Sequence, residues 1–228
     1  MRRLFTLLLC LTGSLATYAA GPDVLATAVD RFAAESNEWA YTQKTVSRDN
    51  DGKLRREVVM RYDPSRPEDE QFTPLLINGQ EPTESQIRKY RRSQEKHRQQ
   101  TDPQALSQLL DVEAARRLRE EGDAVFYQVP LKRAEGESID PDKFYVVVRV
   151  NKQEPALEEM WVRLREPVRT RAILQLETGE ANLHFKSADG DSPPTLTALR
   201  ATGRGSIAFI KVGGSYELSR SNFVHVRH

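Results

Sequence analysis

The stretch FYVVVRVN, residues 144–151, constrains the fold of this chain most. Phe144, Val146, Val148 and Val150 fall on one side of an extended backbone, and Tyr145, Val147, Arg149 and Asn151 on the other. β-branched residues at that alternation make a half-buried strand. After a turn over residues 151–155 the period resumes, with Met160, Val162 and Leu164 opposite Glu159, Trp161, Arg163 and Arg165. So short a connection predicts an antiparallel pair. TRAILQLE, a turn at Thr178-Gly179, and ANLHFK continue the sheet. The loop 188–194 interrupts it, and SIAFIKV, a turn at Gly213-Gly214-Ser215, and YELSRSNFVHV close the chain as a last hairpin.

The N-terminus reads as an export signal. Arg2 and Arg3 precede an apolar run from Leu4 to Leu15, and small residues follow. Cleavage after Ala19 places Thr17 and Ala19 at the two positions that must be small, with Ala16 as the second choice. The expected organisation is a signal peptide over 1–19 and one exported domain over 20–228. Cys10, the only cysteine, lies inside the signal, so the exported product has no thiol chemistry; bulky Leu9 argues against lipidation of Cys10. The run is too short to span a bilayer, and no later segment is longer.

Removing Arg2 and Arg3 leaves 32 basic residues against 33 acidic ones, so no global field favours nucleic acid as a partner. An apolar fraction of 38% beside a charged fraction of 29% suits a thin, open sheet better than a thick globule.

Leu25, Ala28, Val29 and Phe32 recur at helical spacing behind Pro22 and Asp23, which predicts an amphipathic helix. WAYTQKTVS and LRREVVMRY, separated by Asp49-Asn-Asp-Gly52, predict a hairpin. A calcium loop at those aspartates is incomplete, because Val58 stands where a closing Glu is needed. QFTPLLI reads as an edge or bulged strand because it contains Pro74. Thr83 and Gln86 form a capping box before TESQIRKYRRSQEKHRQQ, a helix whose stripe holds little besides Ile87 and Tyr90. Arg88, Lys89, Arg91, Arg92, Lys96 and Arg98 crowd it; this is either a solvated face or a docking surface for anionic headgroups or an acidic envelope partner. Residues 101–122 are read as helix to Leu110 and strand after it, and VFYQVPLK as a further strand.

No catalytic signature emerges. His97, His184, His225 and His228 form no metal motif. There is no Gly-x-Ser-x-Gly elbow, and Gly203-Arg-Gly205-Ser precedes a strand where a phosphate loop would precede a helix. Glu158-Glu159 and Asp189/Asp191 are abundant acids rather than a placed pair, which leaves an envelope hydrolase as a distant alternative. The expectation is a non-enzyme without cofactor. Trp39, Tyr41, Val58, Met60, Phe126, Val146, Val148, Met160, Val162, Leu174 and Leu176 can line one concave face as a ligand site, or else form an ordinary core.

The order of these elements resembles the LolA/LolB lipoprotein-carrier superfamily. The string from Trp39 to Tyr90, with YDPSRP, FTPLLINGQEPT and IRKYR, is also similar to uncharacterised exported proteins of Gram-negative bacteria. The resemblance implies an α+β fold: a strongly curved antiparallel sheet, an open half-barrel, with helices covering the concave face. It implies a periplasmic carrier whose apolar cavity takes a lipid, a lipoprotein acyl chain or another amphiphile, and no cofactor. No family ligand residue maps onto a position here, and the basic helix is outside the family pattern. The alternative is an envelope interaction or regulatory protein without a ligand cavity.

Overall fold

The computed structural model describes residues 22–35, 39–98, 108–133, 140–170, 174–187, 194–207 and 210–226. The proposed signal peptide lies outside them, as does most of the helix expected before Leu110.

Helix α1 (Pro22–Glu35) precedes β1 (Trp39–Arg48), β2 (Leu54–Tyr62) and β3 (Phe72–Ile77). Helix α2 (Glu84–Arg98) leads to β4 (Arg116–Glu121), β5 (Ala124–Gln128), β6 (Phe144–Asn151), β7 (Ala156–Leu164) and β8 (Val168–Thr170). Three long strands follow, β9 (Leu174–Ser187), β10 (Pro194–Ile207) and β11 (Ile210–His225). All pairings are antiparallel in one sheet of eleven strands, ordered β3-β2-β1-β11-β10-β9-β7-β6-β5-β4, with β8 beside β9. Apart from the β8 side branch, neighbours in space are neighbours in sequence, except where β1 meets β11. The sheet is unclosed, its edges being β3 and β4.

Local chemistry explains the elements that the sequence predicts. In the β1–β2 turn the Asp49 carboxylate accepts from the Asp51 and Lys53 amides at 3.0 and 2.9 Å, and Gly52 takes φ +79°, so the aspartate organises a turn. β3 is both an edge and bulged, with Pro74 opposite Met60 at the irregularity. The capping box forms reciprocally: the Thr83 amide donates to Gln86 Oε1 at 2.8 Å, and the Gln86 amide to Thr83 Oγ1 at 3.4 Å.

Two expected turns are corrected. Thr178-Gly179 lies inside β9, and Gly213-Gly214-Ser215 inside β11; both strands run on through their glycines. Pro194, read as the end of a loop, and residues 195–205, assigned to no element from the sequence, belong to β10. Gly179, Gly203 and Gly214 stand directly opposite one another on three adjacent strands. At Gly214, φ +138°, a Cβ would fall on the Arg48 carbonyl oxygen. The row lies within strands rather than reversing the chain, and close backbone approach is what Gly214 requires, whereas a Cβ at Gly179 would make only ordinary contacts.

One face of the sheet is continuous. Tyr127, Val148, Met160, Leu183, Leu199, Leu218, Thr45, Val58 and Ile77 form an unbroken row of cross-strand partners from β5 to β3. At one end of this face Leu25, Ala28, Val29 and Phe32 of α1 pack onto Val146, Val148, Leu157, Met160 and Phe185, Phe32 meeting Phe185 edge-on at 5.1 Å. At the other end Tyr90 of α2 joins Tyr41, Val58, Met60 and Tyr62.

Candidate functional site

The α2 end is an aromatic ladder crossing four strands. Ring centroids step from Phe223 to Tyr41 at 5.9 Å, to Tyr62 at 4.9 Å and to Phe72 at 4.9 Å. The Arg220 guanidinium lies 4.2 Å from the Tyr41 ring centre and donates to Gln43 Oε1 at 3.0 Å. Burial raises the Tyr41 phenol pKa, with Arg220 opposing. Tyr90 is pushed up to about 12, chiefly by burial, with Arg56 opposing and Tyr216 and Tyr41 adding.

Between the two packed ends lie Leu176, Ala181, Leu199, Ala201 and Leu218, all half-buried, with Tyr216 39% exposed. Leu176, Leu199 and Leu218 pack into neither buried cluster. This strip spans β9, β10 and β11 and is the part of the face on which a ligand would find apolar surface. A separate cleft of about 560 Å³ opens beside the glycine row, with Asp49, Asn50, Arg163, Glu180 and Arg204 on its walls.

The expected lining residues divide accordingly. Val146, Val148 and Met160 are at most 2% exposed, sealed beneath α1 as helix-holding core. Tyr41, Val58 and Met60 are taken up by the α2 cluster, and Trp39 is buried with its ring edge-on to His225 at 5.0 Å. Val162 and Leu176 are half-buried. Phe126 is placed apart from the rest: opposite Arg149 while its neighbour Tyr127 faces Val148, it lies on the other face of the sheet. There it stacks on Trp161 at 6.2 Å beneath the Arg119 guanidinium at 3.9 Å. The side chain of Leu174 lies outside the described residues. Leu199 was not anticipated because LRATGRGS, with two glycines and two arginines, lacks the apolar alternation that marks a strand; Tyr216 and Leu218 lie in YELSRSNFVHV, read as a strand, but stand there among polar residues.

On α2, Arg88, Lys89 and Arg92 line a shallow cleft of about 530 Å³ with Ser85 and Ser93. Arg91 is half-buried, its Nε without a hydrogen-bond partner among the described residues. The side chains of Lys96 and Arg98 lie outside those described. His184 approaches Glu159 at 3.7 Å, on the side of β9 away from the strip. Among the described residues no group of His, Cys, Asp and Glu could hold a metal ion, and no helix is long and apolar enough to cross a membrane.

Fold and face together define a class: among the described residues, an unclosed antiparallel sheet of eleven strands with α1 and α2 on one face and an aliphatic strip between them. Neither a protein-family model nor a curated protein matches the chain. Among solved structures it resembles the crystal structure of a DUF1329 family protein from Desulfovibrio piger ATCC 29098, at 13% identity over 90% of this chain and 92% of that one, with a TM-score of 0.38. Likeness at that level decides neither family nor activity. That structure does not carry the LolA/LolB name, so the LolA/LolB resemblance rests on the layout of an unclosed antiparallel sheet.

Proposed function

We propose that this chain is an exported, periplasmic binding or carrier protein that holds a lipid, a lipoprotein acyl chain or another amphiphile, and that it carries out no reaction. The observation that carries this is the half-buried strip of Leu176, Leu199 and Leu218 on the same face as both helix-packed clusters and outside each. Neighbouring strands rotate by roughly 20–25°, so a path this long coils, and the half-barrel reading puts the strip on its concave side with the helices at either end. The Arg2-Arg3 signal pattern supports export.

The chemistry is burial. About 0.8 kcal/mol per methylene gives ~11 kcal/mol for about fourteen methylenes; association consumes ~4 or more, leaving a Kd on the order of ten micromolar. A competing reading, an interaction or regulatory protein whose sheet is filled by its own side chains, is favoured by the complete burial of Val148 under α1.

Native mass spectrometry after detergent-free purification is expected to show co-purified lipid, and a fluorescent fatty acid is expected to titrate the strip. Leu199→Glu with Leu218→Glu should weaken uptake at least about tenfold, since each inserts a charge into the apolar surface, while Leu54→Ser on an exposed strand end should not. No co-purified lipid and no uptake would favour the self-filled sheet.

A further inference from the structure

The basic residues of α2 play no part in the cargo strip. The helix is held from one side, Tyr90 entering the aromatic cluster with Ile87 half-buried beside it. At about 100° per residue, Arg88 and Arg92 fall opposite Tyr90, with Ser85 and Lys89 beside them and Ser93 nearer the Tyr90 side, and these five line the same cleft. Arg88 shares Glu84 at 3.5 Å, an exposed pair of little strength. Lys89 and Arg92 have no carboxylate partner among the described residues. Residues 84–98 carry six Lys or Arg against two Glu, whereas the whole chain balances 34 basic residues against 33 acidic ones. The positive charge is local, and it marks a place on the surface.

The strand beneath the helix selects the occupant. α2 packs against β3, where Leu75 and Leu76 are 43% and 36% exposed. Leu76, opposite Val59, turns to the sheet face away from α2, and Leu75 sits at the bulge of this free edge. A cationic helix packed on an edge strand with exposed leucines matches an anionic bilayer, which offers phosphates to the first and the headgroup–acyl boundary to the second; an acidic soluble protein would engage the cations alone. We infer that the basic stripe of α2 and the adjoining β3 edge dock the protein on anionic phospholipid headgroups of a bilayer. β3 is also one of the two free edges of the sheet, so docking there sets that edge against the membrane. The purpose of this docking, cargo exchange, rests on the carrier reading; the docking itself does not.

The test is co-sedimentation of the full-length exported protein with vesicles of phosphatidylcholine alone or with one third phosphatidylglycerol. Each cation near an anionic leaflet adds roughly fivefold to partitioning. Arg88→Gln, Lys89→Gln and Arg92→Gln together should therefore cost on the order of a hundredfold on anionic vesicles, and ~1 M salt should erase the preference by shrinking the screening length to about 3 Å. Leu75→Ser with Leu76→Ser should weaken binding at low salt without changing its salt dependence. The circular-dichroism spectrum and urea midpoint of the same triple variant report that the fold is intact. Equal binding to both vesicle types, an unaffected triple variant, or capture of an acidic protein with no vesicle binding overturns the docking proposal. Vesicle docking without any fatty-acid uptake sinks the carrier reading and leaves docking standing.

Discussion

Alanine substitutions at three glycines separate two kinds of glycine requirement. Gly179 sits in β9 with ordinary backbone, and a Cβ there would meet Leu176, Leu164 and the Thr202 carbonyl at 3.8–3.9 Å, ordinary contact. Gly179→Ala should stabilise by about 0.4–1 kcal/mol through the unfolded chain. Gly52, in the β1–β2 turn, has φ +79° and open space around it, so Gly52→Ala carries only the left-handed cost, about 1–2 kcal/mol. Gly214 combines φ +138° with a Cβ aimed into the Arg48 main chain, which no rotamer can vacate. Backbone strain of about 1–3 kcal/mol and overpacking of about 1–3 kcal/mol put Gly214→Ala near ~4 kcal/mol. That is a large share of a total of about 5–15 kcal/mol, and a fall of roughly 10 °C in Tm. Urea unfolding, read as midpoint at constant slope, measures all three. If Gly214→Ala is as stable as the parent, or Gly179→Ala costs as much as Gly214→Ala, strands do not pass through the glycine row as described, and the reading of these residues as turns returns.

Tyr90 gives a pH prediction: its folded pKa, about 12, stands above the unfolded phenol near ~10, so its stabilisation is complete below about pH 10 and is lost as pH rises toward 12, by about 2–3 kcal/mol. Tyr90→Phe should remove most of that loss in urea unfolding across the window, and an unchanged alkaline slope would refute it. On the opposite face, Arg119 over Phe126 at 3.9 Å predicts a coupling of about 1 kcal/mol in a double-mutant cycle of Arg119→Ala with Phe126→Leu; additivity would deny the contact.

Strands with clean alternation were legible from sequence. Val146, Val148 and Val150 declare β6, and Leu25, Val29 and Phe32 declare α1, because burial on one side follows the period of the backbone. Thr83 and Gln86 announced the start of α2 through a contact three residues long. What escaped was of two kinds. β10 hides because its middle residues meet other strands through glycine and alanine, which carry no hydropathy signal, and the same glycines imitate turns. The side taken by Phe126 escaped because Val125, Phe126 and Tyr127 are all apolar and all buried, so the period of two is present but unmarked. The candidate strip shares the first difficulty: its leucines gain meaning only when β9, β10 and β11 are laid side by side.

The partnership of β1 with β11 joins strands from opposite ends of the described chain. Every other principal pairing, except the step from β9 past β8 to β7, can zip as soon as the next hairpin has emerged; this one must wait. At ~5–20 residues per second, an early strand stands with its outer hydrogen-bonding groups unanswered for on the order of ten seconds while the last is still being made. During that interval the nascent protein presents a ready template for the wrong neighbour, so its yield should depend on a holdase more than on the depth of its native well.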